Sequence, residues 1–585
     1  MMKKIFLLAI ISLTAIYSCK DYYDTKNNPV SYGKTYMSID ISTDKSSYQP
    51  GETVNFWLRE KIGNQAKIRY SYLGNVLHEE NLTGTSWSWK TPLDDFRGYM
   101  VDIYEMVNGQ EVIYHSIAVD VSSNWKKFPR YGFLSSYGNI SEEQIEKNIA
   151  FLSRYHINGV QFYDWMHDHQ RPLAGTVENP SSSWPDLIGR TNHLQTVRSY
   201  IGESHRRGMK AMFYNLAFGA LNNAAGDGVR EDWYLYKDAN RTEKDKHQLD
   251  APFRSSIYLV NPGNTQWQAY LAQRHQDVYK VFDFDGYHID QLGYRGNVYD
   301  FNGALVNLNE TYPAFIRAMK AAQPNKSLVM NAVSGYGQNL IANEEVDFLY
   351  TEVWDETKTF AELAEVITNN ATLSGNTKNS VFAAYMNYGK SGNVGYLNKS
   401  GILLANAVIF AFGGAHLELG EHYLANEYFP NSNLQATSDI KQALVNYYDF
   451  LVAYQNILRD GGSFTTSNIL QNTNGKMVLN NWQPNKGQVS FKVKEFGDKD
   501  VIHFLNFSNA NSLEWRDTNG TQTEPSTITN ADIVFQTARP VKKVWLASPD
   551  FKKGVPVTLS HTQAGNEVRF SLPELKYWDM VVVEY

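Results

Sequence analysis

One cysteine, Cys19, is all that this chain of 585 residues contains. No internal disulfide can form, so folding relies on apolar cores rather than covalent staples. Long hydrophobic runs are also missing beyond the first twenty residues, which excludes a chain with several membrane-spanning helices. Positive charge is not in excess either: 54 Lys and Arg against 61 Asp and Glu leave a net charge of -7, which argues against nucleic acid as a partner. No glycine loop of the P-loop or dinucleotide-binding kind occurs. Asp238-Ala239-Asn240-Arg241-Thr242 begins like a calcium loop, but Glu243 stands where that loop needs glycine. His416 and His422, with Glu418 and Glu421 between them, match no zinc-helix spacing.

The N-terminus carries its own signals. Lys3 and Lys4 precede an apolar run from Ile5 to Ile16, too short for a permanent membrane helix and suited to a secretory signal. Cys19 follows Ser18 directly after that run, where a bacterial lipoprotein signal is cleaved and the cysteine acylated. Residues 1–18 are therefore expected to be a lipoprotein signal peptide. Residues 19–33, polar and rich in Asp and Asn, are expected to form a tether to a lipid anchor at the bacterial outer membrane, on its periplasmic or cell-surface face.

From about Lys34 to Val121 short alternating runs are separated by turn residues, including Pro50-Gly51 and Asn108-Gly109. That pattern predicts an immunoglobulin-like antiparallel β-sandwich over residues 34–124. From Trp125 apolar strands alternate with helical stretches. The strands are expected at Arg130–Tyr137, Gly159–Tyr163, Lys210–Leu216, Asp285–Asp290, Ser327–Ala332, Asp347–Thr351, Ser380–Met386 and Ala407–Phe412. Eight strand-helix units over residues 125–460 predict a (β/α)8 TIM barrel with inserted loops. After Gly461-Gly462 the helices stop, and residues 461–585 read as a second antiparallel β-sandwich. The many aromatics, 13 Trp and 38 Tyr, suit both β-rich domains and sugar stacking, and composition does not separate the two.

A barrel presents its site at the C-terminal ends of its strands, so position along a strand sorts the carboxylates. In FDGYHIDQLGYR, Asp285 begins the fourth strand and Asp290 ends it, about 16 Å away at ~3.3 Å per residue. In DFLYTEVWDE, Asp347 begins the sixth and Glu352 ends it. Asp290 and Glu352 therefore share the top of the barrel, and two carboxylates placed so are what cleavage of a glycosidic bond requires. Side chains alternate, so His288 lies on the face of Asp290, and Phe348 and Tyr350 on that of Glu352. Further strand-end groups are candidates for holding a sugar: Tyr137, Asp164, Trp165 and His167 after strands one and two, and Tyr214 and Asn215 ending strand three. Asn331 ends strand five, Trp354 follows strand six, Asn387 follows strand seven, and Glu418 and Glu421 follow strand eight.

HIDQLG followed by YTEVW resembles glycoside hydrolase family 66, the dextranases and cycloisomaltooligosaccharide glucanotransferases, and the three-domain order matches along nearly the whole mature chain. The resemblance implies a retaining double displacement on α-1,6-linked glucan, with Asp290 as nucleophile, Glu352 as acid/base, and no metal or organic cofactor. Cyclising members of the family carry a carbohydrate-binding module near the seventh strand. Here only Gly389 to Gly401 separates that strand from the next helix, which favours an endo-acting dextranase. Two alternatives stand beside it: a cyclising transferase, and a surface lipoprotein that binds glucan without cutting it.

Overall fold

The computed structural model describes residues 40–466 and 469–585. The expected signal, Cys19 and the whole of the tether lie outside the described residues. Among those described, no helix is long and apolar enough to cross a membrane.

Eight parallel strands form the central sheet: β1 (Tyr131–Leu134), β2 (Gly159–Phe162), β3 (Lys210–Leu216), β4 (Gly286–Asp290), β5 (Ser327–Val333), β6 (Leu349–Glu352), β7 (Ser380–Ala383) and β8 (Ala415–His416). They pair in sequence order from β1 to β8. The barrel closes where the Phe133 amide in β1 donates to the Leu419 carbonyl just beyond β8 (3.1 Å). Tyr131, Phe133, Met212, Val329, Phe348, Tyr350 and Val381 fill the interior, so the barrel is a packed core and not a pore.

One strand was misplaced by sequence pattern. Ala407–Phe412, expected as the eighth strand, belongs to the helix Lys399–Ala411, and β8 follows the turn at Gly413, whose φ is 92°. Every residue of that helix from Ser400 to Ala411 is buried, so it has no polar face to write a 3.6-residue period into the sequence. Further on, two helices, Ser438–Ala453 and Gln455–Leu458, follow one another with only Tyr454 between them.

At the foot of the barrel Asp285 precedes β4 and accepts from His205, Lys210 and the Ala211 amide, each at 2.8 Å. Asp347 precedes β6 and accepts from the Trp125 indole (2.9 Å) with Lys126 at 2.9 Å. Both carboxylates are occupied at the end opposite the strand tips.

N-terminal to the barrel, a three-stranded sheet (Ile41–Thr43, Thr53–Leu58, Ser86–Lys90) faces a four-stranded one (Lys67–Tyr72, Asn75–Asn81, Arg97–Val107, Gln110–Val121). Val54, Phe56, Ile68, Tyr70, Val101 and Ile117 meet between them. Asn108 and Gly109 take φ of 51° and 78° between Val107 and its partner Gln110, the two positive values that a tight hairpin turn demands. Asn75–Asn81 escaped sequence reading because all seven residues are exposed and carry no alternation.

The C-terminal sandwich pairs a seven-stranded sheet, centred on Val489–Glu495, Lys499–Asn506, Trp578–Glu584 and Lys543–Ala547, with a four-stranded one. Ile502, Phe504, Val544 and Val583 point into the sandwich core, while Leu505, Trp545, Trp578 and Val582 join the barrel's outer core. Both faces of this sheet are dry, which is why WDMVVVE reads as a nearly continuous apolar run.

The N-terminal sandwich is joined to the barrel as closely. Arg154 and His156 reach Asp449 at 2.9 and 2.7 Å, and the same carboxylate accepts the Ala118 amide. Gly98 lies against the helix Ser438–Ala453 so closely that a Cβ would stand 1.8 Å from the Val452 carbonyl oxygen. Gly98→Ala must therefore separate the two units, and is expected to destabilise the protein by about 2–3 kcal/mol. Chemical unfolding checks this; an unchanged midpoint would contradict the contact.

Candidate active site

The strand register decides which side chains meet at the top of the barrel. Leu216 of β3 is level with Asp290, and Val333 of β5 is level with Glu352. Asn331, two residues before Val333, points the same way and stands between the two carboxylates. Its amide nitrogen donates to Asp290 Oδ1 at 2.8 Å and to Glu352 Oε2 at 2.9 Å. One NH2 group has two hydrogens, so both bonds form at once. The second oxygen of each carboxylate has its own donor: Tyr214 to Asp290 Oδ2 and Tyr385 to Glu352 Oε1, each at 2.8 Å.

The two acids are not equivalent. Partial burial raises the Asp290 carboxyl above its usual range, and the bonds from Asn331, Tyr214 and the Gln291 amide oppose the rise. Glu352 is pushed up to about 7, first by burial and then by the charge of Asp290, with Asn331 and Tyr385 opposing. Asp290 therefore ionises first, and near neutral pH the pair holds one negative charge and one proton.

Two further acids follow strand ends, Asp164 after β2 and Glu421 after β8. Asp164, in a left-handed conformation at φ 48°, is pushed up to about 7 by burial and by Asp186, with Arg190 opposing and Asp290 adding to the rise. Glu421 accepts from the Ser135 hydroxyl at 3.0 Å and is also raised to about 7 by burial. On the β6–β7 side Trp354 is half-buried, 5.5 Å from the Tyr385 ring and 5.9 Å from that of Tyr388. Tyr163 stacks on Phe429 at 4.3 Å and approaches Tyr214 at 4.9 Å, forming another aromatic surface beside Asp290.

The structure gives several of the expected sugar contacts partners within the protein. Trp165 is fully buried among Phe213, Phe282 and Phe284 behind the strands, because its indole donates to the Tyr214 carbonyl and draws the ring inward. Tyr137 is buried against Phe162, its hydroxyl spent on the Leu134 carbonyl. Asn215 faces outward from β3 and is consumed by His169 and His275. Glu418 is buried and accepts from Asn406 and Tyr448 at 2.8 and 2.9 Å, and from Tyr423. Asn387 binds the backbone and side chain of Asp517, in the C-terminal part of the chain. His167 sits in the loop after β2, its ring 3.4 Å from the Pro185 carbonyl and 3.7 Å from Asp168. His288 does share the face of Asp290, but one layer lower: it is buried between Tyr131 and Tyr350 and held neutral, at about 3, by burial. It is floor, not contact surface.

Sequence reading missed Tyr385, although it continues the inward parity of Val381 and Ala383 past the end of β7. It also missed Arg516, whose guanidinium lies 5.5 Å from the Trp354 ring and for which no local pattern exists. No group of three or more His, Cys, Asp or Glu that could hold a metal occurs among the described residues. The calcium-like stretch is an Asp turn, in which Asp238 accepts from the Asn240 and Thr242 amides.

A model for Glycosyl hydrolase family 66 matches residues 43–582. A cycloisomaltooligosaccharide glucanotransferase of Niallia circulans is 27% identical over 712 residues, covering 93% of this chain and 72% of the relative. A dextranase of Streptococcus salivarius is 22% identical over 607 residues, covering 91% and 73%. Among solved structures, a Paenibacillus sp. cycloisomaltooligosaccharide glucanotransferase complexed with cycloisomaltoheptaose superposes with a TM-score of 0.85 at 25% identity, covering 93% of this chain and 99% of that one.

The raised acid has a cost in stability. A carboxyl that goes from 4.5 in the unfolded chain to about 7 in the fold keeps its proton better when folded, so stability falls as pH rises through that window. Glu352→Gln removes the ionisation. At pH 8 it is expected to be more stable than the parent by on the order of 1–3 kcal/mol, and nearly equal to it at pH 4.5. Unfolding curves at the two pH values check this; the same offset at both would contradict the assignment of the raised group.

Proposed function

Because the chain belongs to glycosyl hydrolase family 66, whose members act on glycosidic bonds, we propose that its cleft cleaves α-1,6-linked glucan internally, as a dextranase, by a retaining double displacement. The observation that carries this reading is the shared amide of Asn331. Its bonds of 2.8 and 2.9 Å put a protein nitrogen between one oxygen of each carboxylate, in the space that an inverting pair leaves for a water molecule. In the first step Asp290, ionised, attacks the anomeric carbon, and Glu352 gives its proton to the departing glycosidic oxygen. In the second, Glu352 takes a proton from water as the water oxygen displaces Asp290. The C–O bond to Asp290 breaks, the pair is regenerated, and two inversions leave the α configuration. Asn331, Tyr214 and Tyr385 keep both carboxylates aimed throughout.

A second reading, the cyclising transferase, is favoured by the names of two relatives at 27% and 26% identity. Against it, 93% of this chain fills an alignment 712 residues long with one such relative, so that relative holds long stretches which this chain lacks. Between β7 and the helix Lys399–Ala411 this chain has only a short turn at Tyr388–Lys390 and a two-residue strand at Gly395–Tyr396.

Incubation with dextran, followed by product sizing, separates the readings: linear isomaltooligosaccharides of mixed length are expected, whereas early, abundant cyclic products would contradict hydrolysis. Glu352→Gln is expected to lose about 10²–10⁴-fold in rate on dextran, and Asp290→Gly at least as much. Azide is expected to rescue Asp290→Gly with formation of a β-glycosyl azide; variants that kept near-parental rates would overturn the pair.

A further inference from the structure

A long loop of the C-terminal sandwich, residues 507–527 between the strands Lys499–Asn506 and Ile528–Gln536, has no helix or strand of its own. It lies along the barrel top, sewn to the segments that follow β6 and β7. The Trp515 indole is buried and donates to the Thr357 carbonyl at 2.7 Å. The Asn387 amide donates to the Arg516 carbonyl at 2.9 Å, and that of Gly389 to the Thr518 carbonyl at 3.0 Å. Asp517 accepts from Asn398, the residue that caps the helix Lys399–Ala411, at 2.7 Å. Loops of such length inside a compact protein are generally functional or disordered, and these bonds hold this one in place.

Arg516 is what the loop delivers. It is 5% exposed and donates through Nη2 to the carbonyl of Val353, the residue after Glu352, at 3.0 Å. Its guanidinium carbon lies 5.5, 5.3 and 5.0 Å from the rings of Trp354, Tyr388 and Trp515. The nearby carboxylate Asp355, at 3.8 Å, is 89% exposed and too wet to anchor it. The cation is thus held by aromatic faces and one carbonyl, an arrangement that suits a planar guanidinium and not an ammonium. Trp354 in turn touches Tyr385, which holds Glu352.

An acid that protonates the glycosidic oxygen stands on the side of the departing sugar, so the wall that continues from Glu352 through Tyr385 to Trp354 and Tyr388 faces that sugar. We propose that Arg516, supplied by the C-terminal sandwich, is a positioning residue that fixes Trp354 and Tyr388 as the platform for the departing glucan and for an incoming acceptor sugar. It thereby sets how often a sugar, in place of water, resolves the covalent intermediate. This inference rests on the retaining reading above. In the transfer branch an acceptor hydroxyl oxygen bonds to the anomeric carbon, the bond to Asp290 breaks, and the hydroxyl proton passes to Glu352. The balance is that of hydrolysis with the sugar in the place of water.

The test uses the full chain, dextran as donor and radiolabelled isomaltose as acceptor, with transfer and hydrolysis products counted together. Arg516→Met is expected to lower the transfer-to-hydrolysis ratio about 10-fold, and Arg516→Lys to restore part of it. A ratio unchanged in Arg516→Met, or transfer and hydrolysis falling by one common factor, would overturn the positioning role. Should Arg516→Met fail to fold, Arg516→Lys carries the test alone: it keeps the charge but not the planar stacking, so a parental ratio would be the overturning result. Absence of any transfer product from the parent enzyme, while azide rescues Asp290→Gly, would overturn this proposal and leave the retaining reading standing. Failure of azide rescue would count against that reading instead.

Discussion

A single side-chain amide holds the candidate site together. Asn331 donates to both carboxyl groups, and in doing so it keeps the two acids closer than they would settle in water. The electrostatic consequence is the division of labour: Asp290 carries the charge, and that charge, added to burial, keeps the proton on Glu352 up to about 7. Neither effect survives without rigid placement. The parallel ladder supplies it, with β4, β5 and β6 adjacent in the sheet, Ile289 paired with Met330 and Val333 with Glu352, so that Asn331 falls between the two carboxylates. Tyr214 and Tyr385, from β3 and just past β7, close the ring from the two outer sides.

Placement of this kind depends on a barrel that does not breathe, and the flanking sandwiches supply part of that stiffness. Each sandwich puts the outer face of one sheet into the barrel's own core: Met100 and Ala118 from one, Trp545, Trp578 and Val582 from the other. Asp449, on the helix Ser438–Ala453, gathers Arg154, His156 and a sandwich amide into one buried knot. Removing one partner of such a buried ion pair strands the other, so the knot punishes separation more than it adds to stability. The C-terminal sandwich goes further and reaches the cleft rim through the loop that carries Arg516.

Much of this architecture is written locally and could be read. Strand ends and side-chain parity were enough to separate Asp290 from Asp285 and Glu352 from Asp347, because β periodicity and the barrel rule act over five or six residues. The eighth strand was not legible: an all-buried helix and an all-buried strand have the same apolar composition, and only tertiary context tells Ala407–Phe412 which to be. Loop residues were legible by type but not by direction. Trp165 and Tyr137 follow strands as sugar-binding aromatics would, yet backbone carbonyls claim their polar atoms and turn the rings into the core. Arg516 left no trace at all, since its partners Trp354 and Tyr388 lie more than a hundred residues before it and nothing local marks the encounter.

The central claim is that Asp290 makes the bond to sugar while Glu352 supplies the proton. It is tested most directly by letting Glu352→Gln react with α-isomaltosyl fluoride, whose leaving group needs no acid, and mapping the trapped adduct by peptide mass spectrometry. The account predicts one isomaltosyl group on the peptide containing Asp290, attached at that carboxylate. An adduct on Asp164 or any other residue, or turnover of the fluoride with inversion and no adduct, would contradict it.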